Sequence, residues 1–427
     1  MPHENSVKEF LIKHRLCAQQ YDGAEIINAF LDEMTRGLAG KSSSLAMISS
    51  YVPVPRRAPH NEKIIVLDAG GTNFRTALIV FDQNSKPNIE YFTNNPMPGI
   101  AGELSKEEFF NHIVDYIAPV ISSSDRLGFC FSYPTFIDKE RDGKLLFWTK
   151  EVKAPQIVGE KILFNLSQTL VKRAVACPRK MLILNDTVAS LLAGVTSTRF
   201  SWDYDYIGFI LGTGTNISYI ESNKNILKET GLNPAESQAI NVESANFNKF
   251  ERGDIDEAFD RTTASPGKYI IEKMISGAYL GGLCHHIILT AAAEGLISEQ
   301  GCRVIKCMKP MTTPQLDPVL SDAPSCLSDA TAIDRSIIKS LISETIERAA
   351  LFTAINLTAA ILKSNGSKGA KKFCVSADGS VYFKMYSFRQ RAEKHLESFA
   401  KTYSFAPEIV HVDDAPLIGT AVAVLAI

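Results

Sequence analysis

Two short segments set the strongest limit on how this chain can fold. In the first, Lys63-Ile-Ile-Val-Leu-Asp68 leads into Ala69-Gly70-Gly71-Thr72-Asn73 and then an apolar run from Phe74 to Phe81. In the second, Tyr204 to Leu211 leads into Gly212-Thr213-Gly214-Thr215 and a run from Asn216 to Glu221. Each reads as strand, glycine turn, strand. Clustered glycines let backbone N–H groups converge on one point and form a nest for anionic oxygens, with Thr72 and Thr213 adding hydroxyls at the mouth. One such turn alone reads equally as an ordinary tight hairpin. Two of them, one in each half of the chain, point to a nucleotide clamped between related lobes. Asp68 closes the first strand. A carboxylate there repels phosphate unless Mg²⁺ lies between them, so the pattern points to a Mg-nucleotide; the alternative is an Asx-type turn residue.

Other phosphate loops fail on inspection. A P-loop needs a glycine five residues before a Gly-Lys-Ser, and Gly40-Lys41-Ser42 has Thr35 there. A Rossmann fingerprint needs a third glycine, and Gly212-Thr213-Gly214 is followed at that place by Ile217.

Around the two turns, helical and strand periodicities alternate, which defines an α/β fold. Helical readings cover 5–39, 107–121, 163–175, a start at Asp186, 268–293, 336–363 and 420–427. Strands are expected at 127–132, 181–184, 373–377, 380–385 and 408–412. Residues 51–59 form a Pro-rich connector, and 310–329 read as a polar surface excursion. The chain has 427 residues, enough for two or three domains, and its formal charge of −2 gives no basic footprint for nucleic acid. No apolar run in the sequence reaches the ~18 residues of a membrane span; the richest is Leu351 to Leu362. The eight cysteines form no C-x-x-C pair and read as reduced thiols, mostly small buried hydrophobes. No secretory leader is expected, which places the chain in the cytoplasm.

The chain resembles the eukaryotic-type hexokinases and glucokinases, within the wider group of actin-like ATPases. The segments that carry the resemblance are Leu67-Asp-Ala-Gly-Gly-Thr-Asn-Phe-Arg75, Gly128-Phe-Cys-Phe-Ser-Tyr-Pro134, Phe147-Trp-Thr-Lys-Glu-Val-Lys153, Leu184-Asn-Asp-Thr-Val-Ala189, Ile207 to Asn216, Ile240-Asn-Val-Glu243 and Ser265 to Gly281. They run in the family's order. The resemblance implies a ribonuclease H-like fold of two lobes, each with a mixed sheet, and a cleft between them. Residues 64–203 and 413–427 would form the small lobe, and 1–63 and 204–412 the large one.

It also implies an activity: transfer of the γ-phosphoryl group of ATP, with Mg²⁺, to the 6-hydroxyl of a hexose, glucose foremost. Asp186 would be the catalytic base, and Lys150 would supply positive charge at the reacting centre. Read from the residues alone, Asp186 is equally a helix N-cap. The sugar ligands would be Ser132, Thr149, Lys150, Asn185, Asp186, Asn216, Glu243 and Glu272. The nucleotide would meet Asp68, Gly70, Gly71, Thr72, Asn73, Arg75, Thr213, Gly214, Asp378, Gly379 and Ser380. Mg²⁺ would come with the nucleotide and reach Asp68 through water. The expected partners are a hexose and ATP, without nucleic acid or membrane, on a monomer or homodimer. A non-catalytic sugar sensor and a kinase for mannose, fructose or an amino sugar are the alternatives.

The chain also departs from the family pattern. Ser376 and Ala377 replace a usual Gly and Val at the adenosine turn. The terminal motif reads Asp414-Ala-Pro-Leu-Ile-Gly-Thr-Ala421, and Pro416 has no N–H to donate. Asn356 stands where the family often has Gly. These three suggest a reshaped purine pocket and relaxed donor choice. Ser244-Ala245 replaces Trp-Gly after Glu243, and Gly282 replaces a Glu, which bears on sugar selectivity. His285-His286 read as packing residues, because neighbours on a helix do not face one metal; Trp148 also reads as packing, and Lys368 to Lys372 as a solvated loop.

Overall fold

The computed structural model describes residues 2–55, 61–148, 152–199, 201, 203–364 and 372–427. Among the described residues thirteen strands are formed: β1 Ile48–Ser49, β2 Lys63–Gly70, β3 Asn73–Phe81, β4 Pro87–Pro96, β5 Arg126–Phe131, β6 Thr135–Ile137, β7 Gly143–Leu145, β8 Lys180–Leu184, β9 Tyr204–Leu211, β10 Thr215–Ser222, β11 Ser237–Asn241, β12 Lys372–Asp378 and β13 Ala406–Val410. Five make one sheet in the order β4-β3-β2-β5-β8, and six make another in the order β1-β11-β10-β9-β12-β13. β6 and β7 form a separate ribbon.

The two sheets follow one plan. In the first, β2 and β3 form an antiparallel hairpin closed by the Gly70↔Asn73 pair, β4 adds antiparallel to β3, and β5 and β8 run parallel to β2. In the second, β9 and β10 form the hairpin, closed by Leu211↔Thr215; β11 adds antiparallel to β10, and β12 and β13 run parallel to β9. The loose duplication in the sequence is thus a duplication of strand order, with β1 added to the second sheet.

Two helices lie between the sheets. Asp186–Ser197 packs against β9, β10 and β12, and also against Ala415–Leu425, which lies on β2 and β5. Glycines permit this closeness. A Cβ on Gly419 would stand 1.7 Å from the Ala189 carbonyl oxygen, and one on Gly208 would stand 2.2 Å from that of Thr187. Neither position has room for a side chain.

The core of the second half is the 33-residue helix Ala332–Ser364. Among the described residues it is the one helix long and apolar enough to cross a membrane, and 89 % of its apolar window is buried inside the protein. Its apolar character is spent on packing, with Phe352, Ile355 and Ile361 at zero exposure.

Several local expectations are corrected. The helical stretch at 5–39 is two helices, Pro2–Lys13 and Gly23–Leu38, because Asp22 caps the second by accepting from the Ala24 and Glu25 N–H groups. The stretch at 268–293 is also two, Ile270–Ile275 and Leu280–Ala293. It breaks because the N–H groups of Gly277 and Ala278 donate to the carbonyls of Gly212 and Thr213. Residues 380–385 form a short helix, Ser380–Lys384, rather than a strand. Residues 310–329 are no mere surface excursion: Met311, Leu316, Val319, Leu320 and Leu327 reach the core. The eight thiols are all free, but Cys177, Cys307 and Cys326 are exposed. The expected packing roles of Trp148 and of the histidine pair match the structure. The Trp148 indole donates to Ala154 O at 2.7 Å, His285 is buried, and His286 lies against Phe259.

Candidate active site

Asp186 takes its place from the end of an apolar strand. β8 stops at Leu184, and the following helix begins at Asp186 with Asn185 as its N-cap. The Asn185 side-chain oxygen accepts from the Thr187 N–H at 2.8 Å. The capping role that the sequence allows for Asp186 therefore falls to its neighbour. Asp186 is left half-buried at the first helical position, its closest side-chain bond a 3.4 Å contact from the Thr187 hydroxyl.

That carboxylate lines a cavity of about 410 Å³ together with Asp68, Gly70, Asn73, Arg75, Ser132, Asp378 and Pro416. The cavity thus joins the first glycine turn, the end of β12 and the start of the last helix. Asp68 is 3 % exposed. It accepts from Arg75 Nε at 2.6 Å and from the Cys130 thiol. Burial pushes the Asp68 carboxyl up, while Arg75 and the thiol pull it back. The guanidinium of Arg75 also reaches Asp414 Oδ1 at 3.3 Å. Arg75 lies on the cavity wall, but it is held between two carboxylates rather than free to face phosphate alone. Thr72 and Asn73 are exposed at the tip of the turn. Gly71 takes a φ of 85°, and its carbonyl accepts from the Tyr133 hydroxyl at 2.9 Å.

The second glycine turn is clasped from two sides. Gly277 and Ala278 hold Gly212 and Thr213 as described above. On the other side, Gly379 sits at a φ of 114°, and a Cβ there would meet the Leu211 carbonyl oxygen at 2.2 Å. The Asp378-Gly379-Ser380 turn therefore rests directly on the Gly212 turn. Thr213 is exposed at its tip. Ser376 and Ala377, the two departures in this motif, are buried within β12 and face the core.

The third wall carries the polar groups expected for a sugar. Glu272 accepts from the Thr215 N–H at 2.9 Å. A Cβ on Gly214 would stand 2.8 Å from Glu272 Oε2, so the glycine lets the carboxylate reach the turn. Burial, reinforced by the charge of Glu243 and opposed by the Thr215 N–H, pushes the Glu272 carboxyl up to about 7. Glu243 is a left-handed residue at φ 58°, with its carboxyl raised by burial and by Asp186. Its Oε1 accepts from Asn241 Nδ2 at 2.8 Å. Asn216 donates to Asn241 in turn. Asn185, Asn241 and Glu243 also line a narrow chamber of about 20 Å³ with Ser49 and Tyr133. Ser132, whose N–H donates to Ala69 O at 3.1 Å, lies between the first turn and Asp186. Thr149 and Lys150 lie outside the described residues.

Two expectations move. Asn356 is fully buried, and its side chain donates to the hydroxyl of Ser244, the residue after Glu243, at 3.2 Å. Its bearing is on the sugar wall. Gly282 packs against the Phe259 ring. Asn241 and Tyr133 are site residues that the motif reading passed over. Their partners come from other strands and appear only once β10 pairs with β11 and the first turn closes over β5.

Among the described residues, no group of three or more His, Cys, Asp and Glu side chains is placed to hold a metal ion. Asp68 and Asp186 supply hard carboxylate oxygens, which suit a Mg²⁺ that brings most of its ligands as phosphate and water.

Paired mixed sheets of matching order, with a cleft between two glycine turns, define the two-lobed actin-like ATPase fold. Family models described as hexokinase match residues 6–196 and 206–426, and the chain belongs to the hexokinase family. Hexokinase-3 of Homo sapiens is 28 % identical over 408 residues, covering 89 % of this chain and 43 % of that protein. The chain thus spans less than half the length of that relative. Hexokinase-2 of Solanum tuberosum is 28 % identical over 434 residues, covering 93 % of this chain and 86 % of its own. Among solved structures, a hexokinase from Schistosoma mansoni complexed with glucose superposes with a TM-score of 0.78 at 23 % identity, and both chains are covered fully. Another hexokinase crystal structure gives 0.81 at 21 %, with 99 % of each chain covered.

Proposed function

We propose that this chain transfers the γ-phosphoryl group of Mg-ATP to the 6-hydroxyl of a hexose, glucose foremost, yielding the hexose 6-phosphate at the first step of glycolysis. The observation that carries the reading is Asp186. It is relieved of capping by Asn185 and stands on the wall of a cavity that reaches both the first glycine turn and Asp378.

In this reading Asp186 accepts the proton of the 6-hydroxyl as the oxygen attacks the γ-phosphorus and ADP leaves. Asn185, Asn216, Glu243, Glu272 and Ser132 hold the other hydroxyls, with Thr149 and Lys150 completing the set that the family resemblance implies. The two glycine turns cradle the phosphates, and Asp378, Gly379 and Ser380 flank the nucleoside. Asp68 and Asp186 would hold, through water, a Mg²⁺ that arrives with the nucleotide, and the ion would supply positive charge to the phosphates. A small lobe of 64–203 with 413–427 closes on the remainder and excludes water, which keeps phosphate from being lost to hydrolysis. The packing of Ala415–Leu425 on β2 and β5 supports that division.

The test is formation of glucose 6-phosphate from glucose and Mg-ATP by the full chain. Turnover is expected. Glucose binding without turnover on any nucleoside triphosphate would favour the sugar-sensor reading, and Pro416 on the cavity wall would be the place to look. Turnover on mannose, fructose or an amino sugar well above glucose would reassign the substrate. Comparable rates with ATP, GTP and ITP are expected, because Pro416 replaces a residue with a free N–H beside the nucleotide. A strict ATP preference would argue against a reshaped purine pocket.

Glu272 sets a pH dependence. Its native carboxyl titrates near 7, above the ordinary carboxylate value, so the folded chain keeps a proton that the unfolded chain has lost. Its contribution to stability is therefore greatest below the unfolded value and falls as pH rises towards 7. Sugar binding runs the other way, because the ionised carboxylate is the stronger acceptor. The glucose KM is expected to rise by roughly tenfold per pH unit below 7. A KM that stays flat between pH 5.5 and 8 would remove Glu272 from the sugar site.

A further inference from the structure

We infer that Asn241 is a positioning residue that fixes which groups on the sugar wall donate and which accept. The inference rests on the hexose reading of the cleft. It starts from two backbone N–H groups, which can only donate. The side-chain oxygen of Asn216 accepts from Ile217 N at 2.8 Å and from Ser244 N at 3.2 Å. Both lone pairs of that oxygen are thereby engaged. The orientation of the Asn216 amide follows from the main chain, without reference to any observed hydrogen.

The consequence passes along the wall. With its oxygen turned to the backbone, Asn216 presents its NH₂ to Asn241, at 2.7 Å. Asn241 must answer with oxygen, so its own NH₂ points to Glu243 Oε1 at 2.8 Å. Asn241 is 5 % exposed and is pinned between two strands, paired with Ser218 on one side and Ile48 on the other. It cannot turn over without breaking both side-chain bonds. Asn216 keeps one N–H for a ligand and no free acceptor. Glu243 keeps its second oxygen as an acceptor. The wall therefore offers one donor beside one acceptor, the pair needed by a hydroxyl that accepts from one neighbour and donates to the next.

Glu243 also depends on this support for its backbone. It is a non-glycine residue in the left-handed region, held by the Ser244 N–H bond to Asn216 and by Asn356 on the Ser244 hydroxyl. Asp186 acts on Glu243, Glu243 and Lys273 act on Glu272, and the Tyr269 and Tyr279 hydroxyls are raised by burial and by these carboxylates in turn. Asn241 is the neutral donor placed among these carboxylates. It favours the ionised form of Glu243 against its burial.

Asn241→Leu and Asn241→Asp in the full chain test this, with glucose Kd by titration calorimetry and turnover of the parent measured alongside. Asn241→Leu is expected to weaken glucose binding at least tenfold. Asn241→Asp still accepts from Asn216 but donates to Glu243 only when protonated. Glu272 titrates in both proteins, so the glucose Kd of Asn241→Asp relative to that of the parent should fall as pH falls from 8 to 6. A merely structural role would leave that ratio unchanged with pH. The inference is overturned if Asn241→Leu binds glucose within twofold of the parent, or if the ratio of the Asn241→Asp Kd to the parent's stays constant between pH 8 and 6. Should Asn241→Leu lose its cooperative thermal transition, the near-isosteric Asn241→Asp decides alone. If the parent itself neither binds nor phosphorylates a hexose, the reading of the cleft fails together with the inference. If the parent does both and the variants match it, only the inference fails.

Discussion

Asp186→Ala is expected to lower kcat for glucose phosphorylation by about 10²–10⁴-fold, the range for loss of a general base, while glucose binding survives. The local architecture makes this a clean experiment. The cap of the Asp186–Ser197 helix is Asn185, so the substitution leaves the capping bond to Thr187 intact. What the helix loses is one acidic residue in its first turn, about 0.3–1 kcal/mol of interaction with the helix dipole. A large fall in kcat therefore reports on chemistry rather than on folding. Asp186→Asn should fall nearly as far, because the amide keeps the shape and lacks the basic oxygen. Single-turnover rates at saturating glucose and Mg-ATP check both variants. Retention of more than about a tenth of the parental kcat would remove Asp186 from the base role.

Much of this site was legible before any fold was known, and the reasons are local. A glycine turn between two apolar strands signals itself within a dozen residues, so both phosphate-type turns could be read directly. The strand-to-helix junction at Asn185-Asp186 was equally plain. Spacing could not divide the labour between those two residues. Either can cap a helix, and only the Asn185 bond to Thr187 shows which one does. The missed features share another cause: each depends on partners far away in sequence. The break at Ser276 exists because the chain must stop to clasp Gly212, a contact that helical periodicity does not record. Arg75 looks like a phosphate ligand in its motif, and becomes the link between Asp68 and Asp414 only when the last helix closes on the cavity. The family pattern, which often has Gly at this position, sets Asn356 against the nucleotide. Its side chain serves the Glu243 loop, 112 residues earlier in the chain. The duplication was visible as two glycine turns, but the shared strand order depended on β4 and β11, which periodicity did not mark.

Arg348→Met is expected to destabilise the fold by about 3–5 kcal/mol, the cost of leaving one partner of a buried ion pair alone. Arg348 is fully buried in the middle of the longest helix, and Asp256 is 4 % exposed on the Asp254–Thr262 helix. The pair is bidentate, with NH1 donating to Asp256 Oδ2 at 2.8 Å and NH2 to Oδ1 at 2.7 Å. NH1 also donates to the Arg15 carbonyl at 2.9 Å, which ties in the loop after the first helix. The guanidinium thus joins three segments distant in sequence, and its carboxylate partner holds it charged despite complete burial. Removing the cation strands Asp256 in the core. Removing both charges is a different matter, because apolar side chains of similar volume avoid the desolvation cost altogether. The double variant Arg348→Met/Asp256→Leu should therefore recover most of the loss, which urea unfolding midpoints would register. A single variant within about 1 kcal/mol of the parent would show that the pair adds little beyond its own desolvation. The effect also bears on the cleft. One turn further along the same helix, Asp260 accepts from Lys273, the neighbour of Glu272. An Asp254–Thr262 helix loosened by the loss of Arg348 loosens that anchor too. Arg348→Met should raise the glucose KM before it unfolds the chain, and the double variant should restore KM together with stability.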